Sequence, residues 1–373
     1  MDRRSFLKWL LSMMAVATAG TWSFLRFGQP DRGAQGPAPT ASASATPSPS
    51  PTPATPSPSP SPTPSPTPQG SGNLLLSFFL LSDLHVSLYE PGTVEKLKLA
   101  LADVSEFDPK IEAIVLGGDL TDFGTDNEYS LLRKTLNGYK LPPLYGNMGN
   151  HDFYDIWINK DGAFSTDTMP NGKTDAMARA RFNKFIGYKD KAYADVTING
   201  VHLMMLSQES YVQERADVGE GAWYTDEQLE WFKKTIAPHK DGSPALVFIH
   251  QPLPAVGSDG RTHQLIRANA FRDIVRPYPN VFVFSGHTHR NFIGENHYVM
   301  HENFHWFNNA SVGRTRGAGS LPNPDGSASQ GASRQFAQGM FIQVYERQIV
   351  VRGREFTTRE WIEGSNWTVP LKA

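Results

Sequence analysis

The stretch Leu74-Leu75-Leu76-Ser77-Phe78-Phe79-Leu80-Leu81-Ser82-Asp83-Leu84-His85 decides the fold class. A near-continuous apolar run of this length, preceded by Gly72, reads as a buried strand, and it ends by delivering Asp83 and His85. Val94 to Val104 then has helical spacing, and Ala113 to Leu116 is a second apolar run that ends at Gly117-Gly118-Asp119. Strand, helix, strand is the βαβ signature of an α/β protein.

The same arrangement recurs outward along the chain. Leu144 to Met148 precedes Gly149-Asn150-His151-Asp152, Leu246 to Ile249 precedes His250, and Val281 to Phe284 precedes Gly286-His287-Thr288-His289. Each run places polar residues at a strand's C-terminal end, where open α/β sheets carry their sites. Thr225-Asp226-Glu227-Gln228 reads as a capping box that starts a helix containing Leu229, Phe232 and Ile236. Tyr193 to Ile198, Asn199-Gly200 and Val201 to Leu206 read as a hairpin; Phe341 to Tyr345 with Ile349 to Phe356 read as another. These antiparallel pieces point to a second sheet packed on the first.

Three regions follow from composition: 1–28, a signal or signal anchor; 29–73, a linker; and 74–373, the folded domain. Arg3-Arg4-Ser5-Phe6-Leu7-Lys8 followed by an apolar stretch resembles a twin-arginine export signal of bacteria or archaea, with Asp2 where Ser or Thr is usual. The expected location is periplasmic or extracellular. Ala17-Thr18-Ala19 offers a cleavage site; if it is not cut, the segment becomes a membrane tether. Residues 37–68 hold only Pro, Ser, Thr and Ala, a composition that favours an extended spacer over a core.

The 373 residues carry 35 basic and 37 acidic side chains, a net charge of -2, so no global field attracts nucleic acid. Cysteine is absent, which excludes disulfides, thiolate metal sites and a cysteine nucleophile. Any metal must sit on His, Asp, Glu and Asn, a set suited to Mn, Fe, Co, Ni or Zn.

Five blocks supply such ligands: Asp83-Leu84-His85, Gly118-Asp119-Leu120-Thr121-Asp122, Gly149-Asn150-His151-Asp152, His250, and Gly286-His287-Thr288-His289. Taken singly, each has a bland reading as a turn or a satisfied core histidine. Five in order, each directly after a strand, are not accidental. Their chemistry fits phosphate esters, because a phosphoryl anion repels a hydroxide nucleophile. Two cations about 3.5 to 4 Å apart offset that charge and lower the pKa of water. His297, His301 and His305 stand apart from the blocks, in a segment that reads as a strand pair rather than a third metal site.

The ordered blocks resemble the calcineurin-like metallophosphoesterase superfamily from Leu74 to about Ala310. The resemblance implies a four-layer α/β/β/α sandwich of two mixed sheets flanked by helices, with two divalent or trivalent transition-metal ions. It assigns Asp83, His85, Asp119 and His289 to one metal, with Asp119 bridging and Asn150, His250 and His287 completing the second. His151 would contact phosphate and protonate the leaving group, and Asp122 would orient His151. Asp122 stands where purple acid phosphatases have a metal-binding Tyr, and Phe123 where protein phosphatases have a phosphate-gripping Arg. The run Gly118 to Gly124, with Glu128-Tyr129, is closest to the bacterial cyclic-nucleotide and glycerophosphodiester phosphodiesterases.

The expected function is hydrolysis of a small phosphate ester, chiefly a diester, by attack of a metal-bound hydroxide. A phosphomonoesterase or pyrophosphatase is the alternative, and a non-catalytic surface binding protein is a third. Asn159 to Ala180 is expected to cover the site. The aromatic residues of Phe153 to Trp157 and Phe182 to Phe185 are read as pocket wall or core.

Overall fold

In the computed structural model the first strand, β1 (Leu74–Leu81), runs through the middle of a sheet. Alternate residues Leu76, Phe78 and Leu80 face the second sheet, while Phe79 turns outward against Phe107 and Phe341. Both faces are therefore apolar, which is why the run does not alternate in sequence. The structure describes residues 72–109, 111–317 and 335–372. The expected signal at 1–28, and all of the linker at 29–73 but its last two residues, lie outside the described residues.

From β1 the chain passes through helix α1 (Pro91–Ser105) to β2 (Ala113–Gly117), then α2 (Asp126–Leu136) to β3 (Leu144–Asn147). These three strands are parallel. On the other side of β1, β10 (Gln338–Tyr345), β11 (Gln348–Glu355) and β12 (Glu360–Pro370) add on antiparallel, giving the order β12-β11-β10-β1-β2-β3.

After α3 (Asp175–Ile186), the expected hairpin appears as β4 (Ala194–Ile198) and β5 (Val201–Met205). Helix α4 (Asp226–Ile236), β6 (Ala245–Phe248), α5 (Ala268–Val275), β7 (Val281–Ser285), β8 (Tyr298–His301) and β9 (Phe304–Asn308) complete the second sheet. Its order is β4-β5-β6-β7-β9-β8, with β5, β6, β7 and β9 parallel.

The inner faces of the two sheets share one core, in which Phe78 meets Phe248 at 6.0 Å between ring centres. Leu229, Phe232 and Ile236 of α4 and Phe271 of α5 cover the outer face of the second sheet. The expected sandwich of two mixed sheets with flanking helices is the one found.

Local expectations held with three amendments, the first being that the β10–β11 hairpin extends the first sheet instead of belonging to a second one. Thr225 caps α4 by accepting from Gln228 N, but Gln228 does not reach back to close the box. Its amide instead meets the backbone of Ser207, and Glu209 Oε2 accepts from Thr225 N. The complete capping box is at α2, where Thr125 and Glu128 satisfy each other's backbone. Strand β12 was not visible in the sequence.

Candidate metal centre

Because β1, β2 and β3 are parallel, and β6 and β7 are parallel, the loops after all five strands emerge at corresponding edges. Backbone links join them, among them His85 N donating to Asp119 O at 3.0 Å and Gly286 N donating to His250 O at 2.9 Å. The two edges are held together by His250, whose Nδ1 lies 2.8 Å from Gly117 O, and by His287 N, which donates to Asp83 Oδ1 at 2.9 Å.

The loops turn sharply. Asp83, His85, Asp119, His287 and His289 all have positive φ, between 45° and 68°. Left-handed backbone costs an L-residue roughly 1 to 2 kcal/mol, and Asp, Asn and His are among the non-glycine residues that enter it most readily. Glycines supply the remaining space. A Cβ at Gly149 would strike Asp119 Oδ1, and one at Gly118, where φ is +84°, would strike the His250 ring.

All nine expected site residues converge. Ligand atoms of Asp83, His85, Asp119 and His289 lie within 4.8 Å of one another, as do those of Asp119, His250 and His287. Asp119 belongs to both groups, as a bridging carboxylate must. Asn150 adjoins the second: the amide of the next residue, His151 N, donates to Asp119 Oδ1 at 2.9 Å.

The donor set fits cations. His250 uses Nδ1 on a carbonyl, which leaves the Nε2 lone pair facing Asp119 Oδ2 at 3.2 Å. His85 Nε2 and His289 Nε2 face each other at 2.9 Å, and His289 Nε2 is 3.2 Å from Asp83 Oδ1. His287 Nδ1 is buried without a hydrogen-bond partner. Acceptors converging on acceptors in a buried space call for positive charge between them.

The electrostatics agree. Burial alone would depress His250, but Asp119 and Asp83 lift its pKa to about 9, so without metal a proton takes the cation's place. Burial, then Arg314 and His151, push His85 down to about 3, which keeps it neutral. Asp119 stays well below the usual carboxylate range: burial opposes this, and the neighbouring His250 and His151 outweigh it.

His151 is partly buried, its side chain 22% exposed, beside expected ligands of which all but His287 are buried. Its ring is 4.5 Å from the His85 ring and stacks on Tyr154 at 4.2 Å. Its Nδ1 lies 2.9 Å from the backbone oxygen of Asp122 and 3.4 Å from that residue's carboxylate. Burial works against its protonation, but Asp119 and Asp122 raise its pKa to about 9.

The Asp122 carboxylate is engaged mainly by Arg314, at 2.8 and 2.9 Å through two guanidinium nitrogens. Arg314 also binds Glu90 at 2.8 Å. Sequence reasoning passed over Arg314. It quoted Asp152 within a block but gave it no role; its carboxylate accepts from Leu120 N, Thr121 N and Gly149 N and so locks the Asp119 loop to the Asn150 loop. Glu220, 2.7 Å from Asn150 Nδ2, was missed as well. The one available signal was a lone charge between glycines in Gly219-Glu220-Gly221.

Phe153, Trp157, Phe182 and Phe185 belong to the core, whereas Tyr154 reaches the site. From the segment Asn159 to Ala180, Phe164 contacts Phe123, and Gly162 O accepts from Tyr89 Oη. His301 and His305 lie on the β8–β9 pair and His297 just before it, with His297 Nδ1 on Asn308 O and His305 Nδ1 on Tyr298 Oη.

The family model described as calcineurin-like phosphoesterase matches residues 76–291. A relative, the "probable glycerophosphodiester phosphodiesterase GpdQ" of Arcobacter nitrofigilis, is 22% identical over 211 residues. The match covers 56% of this chain and 64% of the relative, so it spans less than two thirds of that protein's length. Among solved structures, a dimetal phosphatase from Danio rerio aligns over 80% of this chain and all of its own, with TM-score 0.54 and 13% identity. The purple acid phosphatase PPD1 from yellow lupin (Lupinus luteus) aligns over 80% of this chain and 54% of its own, with TM-score 0.51 and 11% identity. Both show the fold.

Proposed function

This chain belongs to the calcineurin-like phosphoesterase family, and from that premise we propose that it is an exported, dinuclear-metal phosphohydrolase whose substrates are small phosphodiesters. The observation that carries this reading is His151, partly exposed beside two candidate ligand groups that share Asp119. A purely structural metal site has no use for a partly exposed imidazole next to its ligands. Asp83, His85, Asp119 and His289 would hold one ion, and Asp119, Asn150, His250 and His287 the other. When bound, two such ions supply positive charge to the phosphoryl oxygens and a hydroxide nucleophile at neutral pH.

The protein's own residues do the rest. Asp122 O fixes the His151 ring through Nδ1, leaving Nε2 as the polar atom for the leaving-group oxygen. Proton donation there is general acid catalysis. Tyr154 stacks on the other side of the ring and limits its rotation.

Charge favours diesters over monoesters. The cation beside the site, Arg314, is already neutralised by Asp122 and Glu90, and Phe123 offers no guanidinium. A monoester dianion would have to rely on the two ions and His151 alone to offset its second charge, which a diester monoanion does not carry. The similarity to a glycerophosphodiester phosphodiesterase supports the same choice.

Export rests on Arg3-Arg4-Ser5-Phe6-Leu7-Lys8 and the spacer behind it. The deciding measurement is kcat/KM on bis(p-nitrophenyl) phosphate against p-nitrophenyl phosphate in manganese buffer. The diester is expected to win by tenfold or more. The reverse order would make the protein a phosphomonoesterase, and activity on neither would leave a binding protein.

A further inference from the structure

Asn150 is an unusual choice of ligand, because an amide has two faces and only its oxygen binds metal. As a ligand, Asn150 would turn one of Oδ1 and Nδ2 to the second metal position and the other into the protein. Something must decide between them, and the buried surroundings of Asn150 do so.

Glu220 is 3% exposed, and its carboxyl oxygens serve only as acceptors. Oε2 lies 2.7 Å from Asn150 Nδ2 and 2.6 Å from Tyr154 Oη; Oε1 lies 2.9 Å from Tyr211 Oη. Asn150 Nδ2 makes a second contact, 3.2 Å, with Tyr154 Oη. Burial, followed by the charge of Glu220, drives the pKa of both phenols up, so each keeps its proton to donate. With a carboxyl oxygen at 2.7 Å, the inward atom of Asn150 has to be the NH2 group, because an amide oxygen there would set acceptor against acceptor. Oδ1 is then left with a single long contact, 3.4 Å from Gln251 Nε2, and that nitrogen is itself held by Glu220 O at 3.1 Å.

We infer that Glu220 is a positioning residue for the second metal: it fixes the Asn150 amide so that the oxygen, not the nitrogen, is presented to the ion. This deepens the dinuclear reading and rests on it. The same contact explains why a neutral ligand is used at this position. A carboxylate in place of the amide would set oxygen against oxygen across the 2.7 Å where the amide places a donor toward Glu220.

The test is manganese binding to the full chain, followed by calorimetry and by metal analysis after gel filtration. Glu220→Leu should keep the first equivalent and weaken the second by about 10- to 100-fold, the usual effect of losing a partner behind a ligand. Asn150→Asp should weaken the second equivalent comparably while Glu220 is present. Combining Asn150→Asp with Glu220→Gln exchanges amide and carboxylate across the same hydrogen bond, and should recover second-site affinity to within about threefold of wild type. A merely structural role for Glu220 predicts no such recovery.

If Glu220→Leu does not fold, the comparison of Asn150→Asp with the exchange variant reads the same coupling. Wild-type affinity for the second equivalent in Glu220→Leu would overturn the inference alone, as would an exchange variant no better than Asn150→Asp. A wild-type chain that bound no manganese would overturn the dinuclear reading with it.

Discussion

His85 Nε2 and His289 Nε2, from loops more than 200 residues apart in sequence, face each other across 2.9 Å, with Asp119 Oδ2 3.7 Å from the first and Asp83 Oδ1 3.2 Å from the second. Two ring nitrogens so close cannot both carry protons. The pair suits one ion lying between them and the two carboxylates.

Asp119 is shared by both ligand groups, whereas His289 belongs to one. Asp119→Ala should therefore lower occupancy of both metals and reduce hydrolysis to background, while His289→Ala should chiefly empty one site. Elemental analysis distinguishes these outcomes. Two metals per chain in Asp119→Ala would refute the bridging assignment.

His151 should separate catalysis from metal binding. His151→Asn is expected to keep both metals and to lose about 10² to 10⁴ in rate on diesters with alkyl leaving groups. The loss should be smaller on nitrophenyl esters, whose leaving group needs little protonation. Asp122→Asn should act in the same direction more mildly, since it is the backbone oxygen of Asp122 that lies closest to the imidazole. Equal losses on both substrate types would rule out proton donation.

Glu128, in the α2 capping box, has one buried carboxyl oxygen without a partner. Burial first, then the charge of Asp122, raise its pKa from 4.5 to about 7. The native state thus prefers the protonated form. That contribution is complete below pH 4.5 and is lost as pH rises through 7, with an upper bound on the order of 3 kcal/mol. Glu128→Gln stays neutral and should flatten this slope. Urea titrations of chelator-treated protein between pH 4 and 8 would show it, and parallel curves for the two proteins would contradict it.

Changing Arg3 and Arg4 to Lys should leave an active, metal-loaded enzyme in the cytoplasm. The twin-arginine route carries folded proteins, which lets the metal be chosen before translocation. Unaltered export of the variant would instead indicate an ordinary secretory signal or anchor.

The five blocks that converge were legible in the sequence because each is local: an apolar run followed at once, or after a glycine or serine, by Asp, Asn or His. The residues that support them were not. Arg314 meets Asp122 from 192 positions away and Glu220 meets Asn150 from 70, and isolated charges in loops have no periodicity to announce them. Strand β12 was hidden for another reason. Its sequence, Glu360 to Pro370, includes Gly364, Ser365 and Asn366, and its pairing with β11 is interrupted at Arg352/Arg354, so neither composition nor alternation marks an edge strand there.

The left-handed backbone at Asp83, His85, Asp119, His287 and His289 restricts the vocabulary of residues these five positions accept, whatever ion is bound. Aspartate, asparagine, histidine and glycine enter that region at low cost; glutamate, cysteine and the branched residues do not. Attempts to retune metal preference by installing a thiolate or a longer carboxylate at these positions would meet a conformational toll before any coordination chemistry began. Adaptation to a different metal is then steered toward Asn150 and His250, which lack the left-handed backbone, and toward the residues behind the ligands.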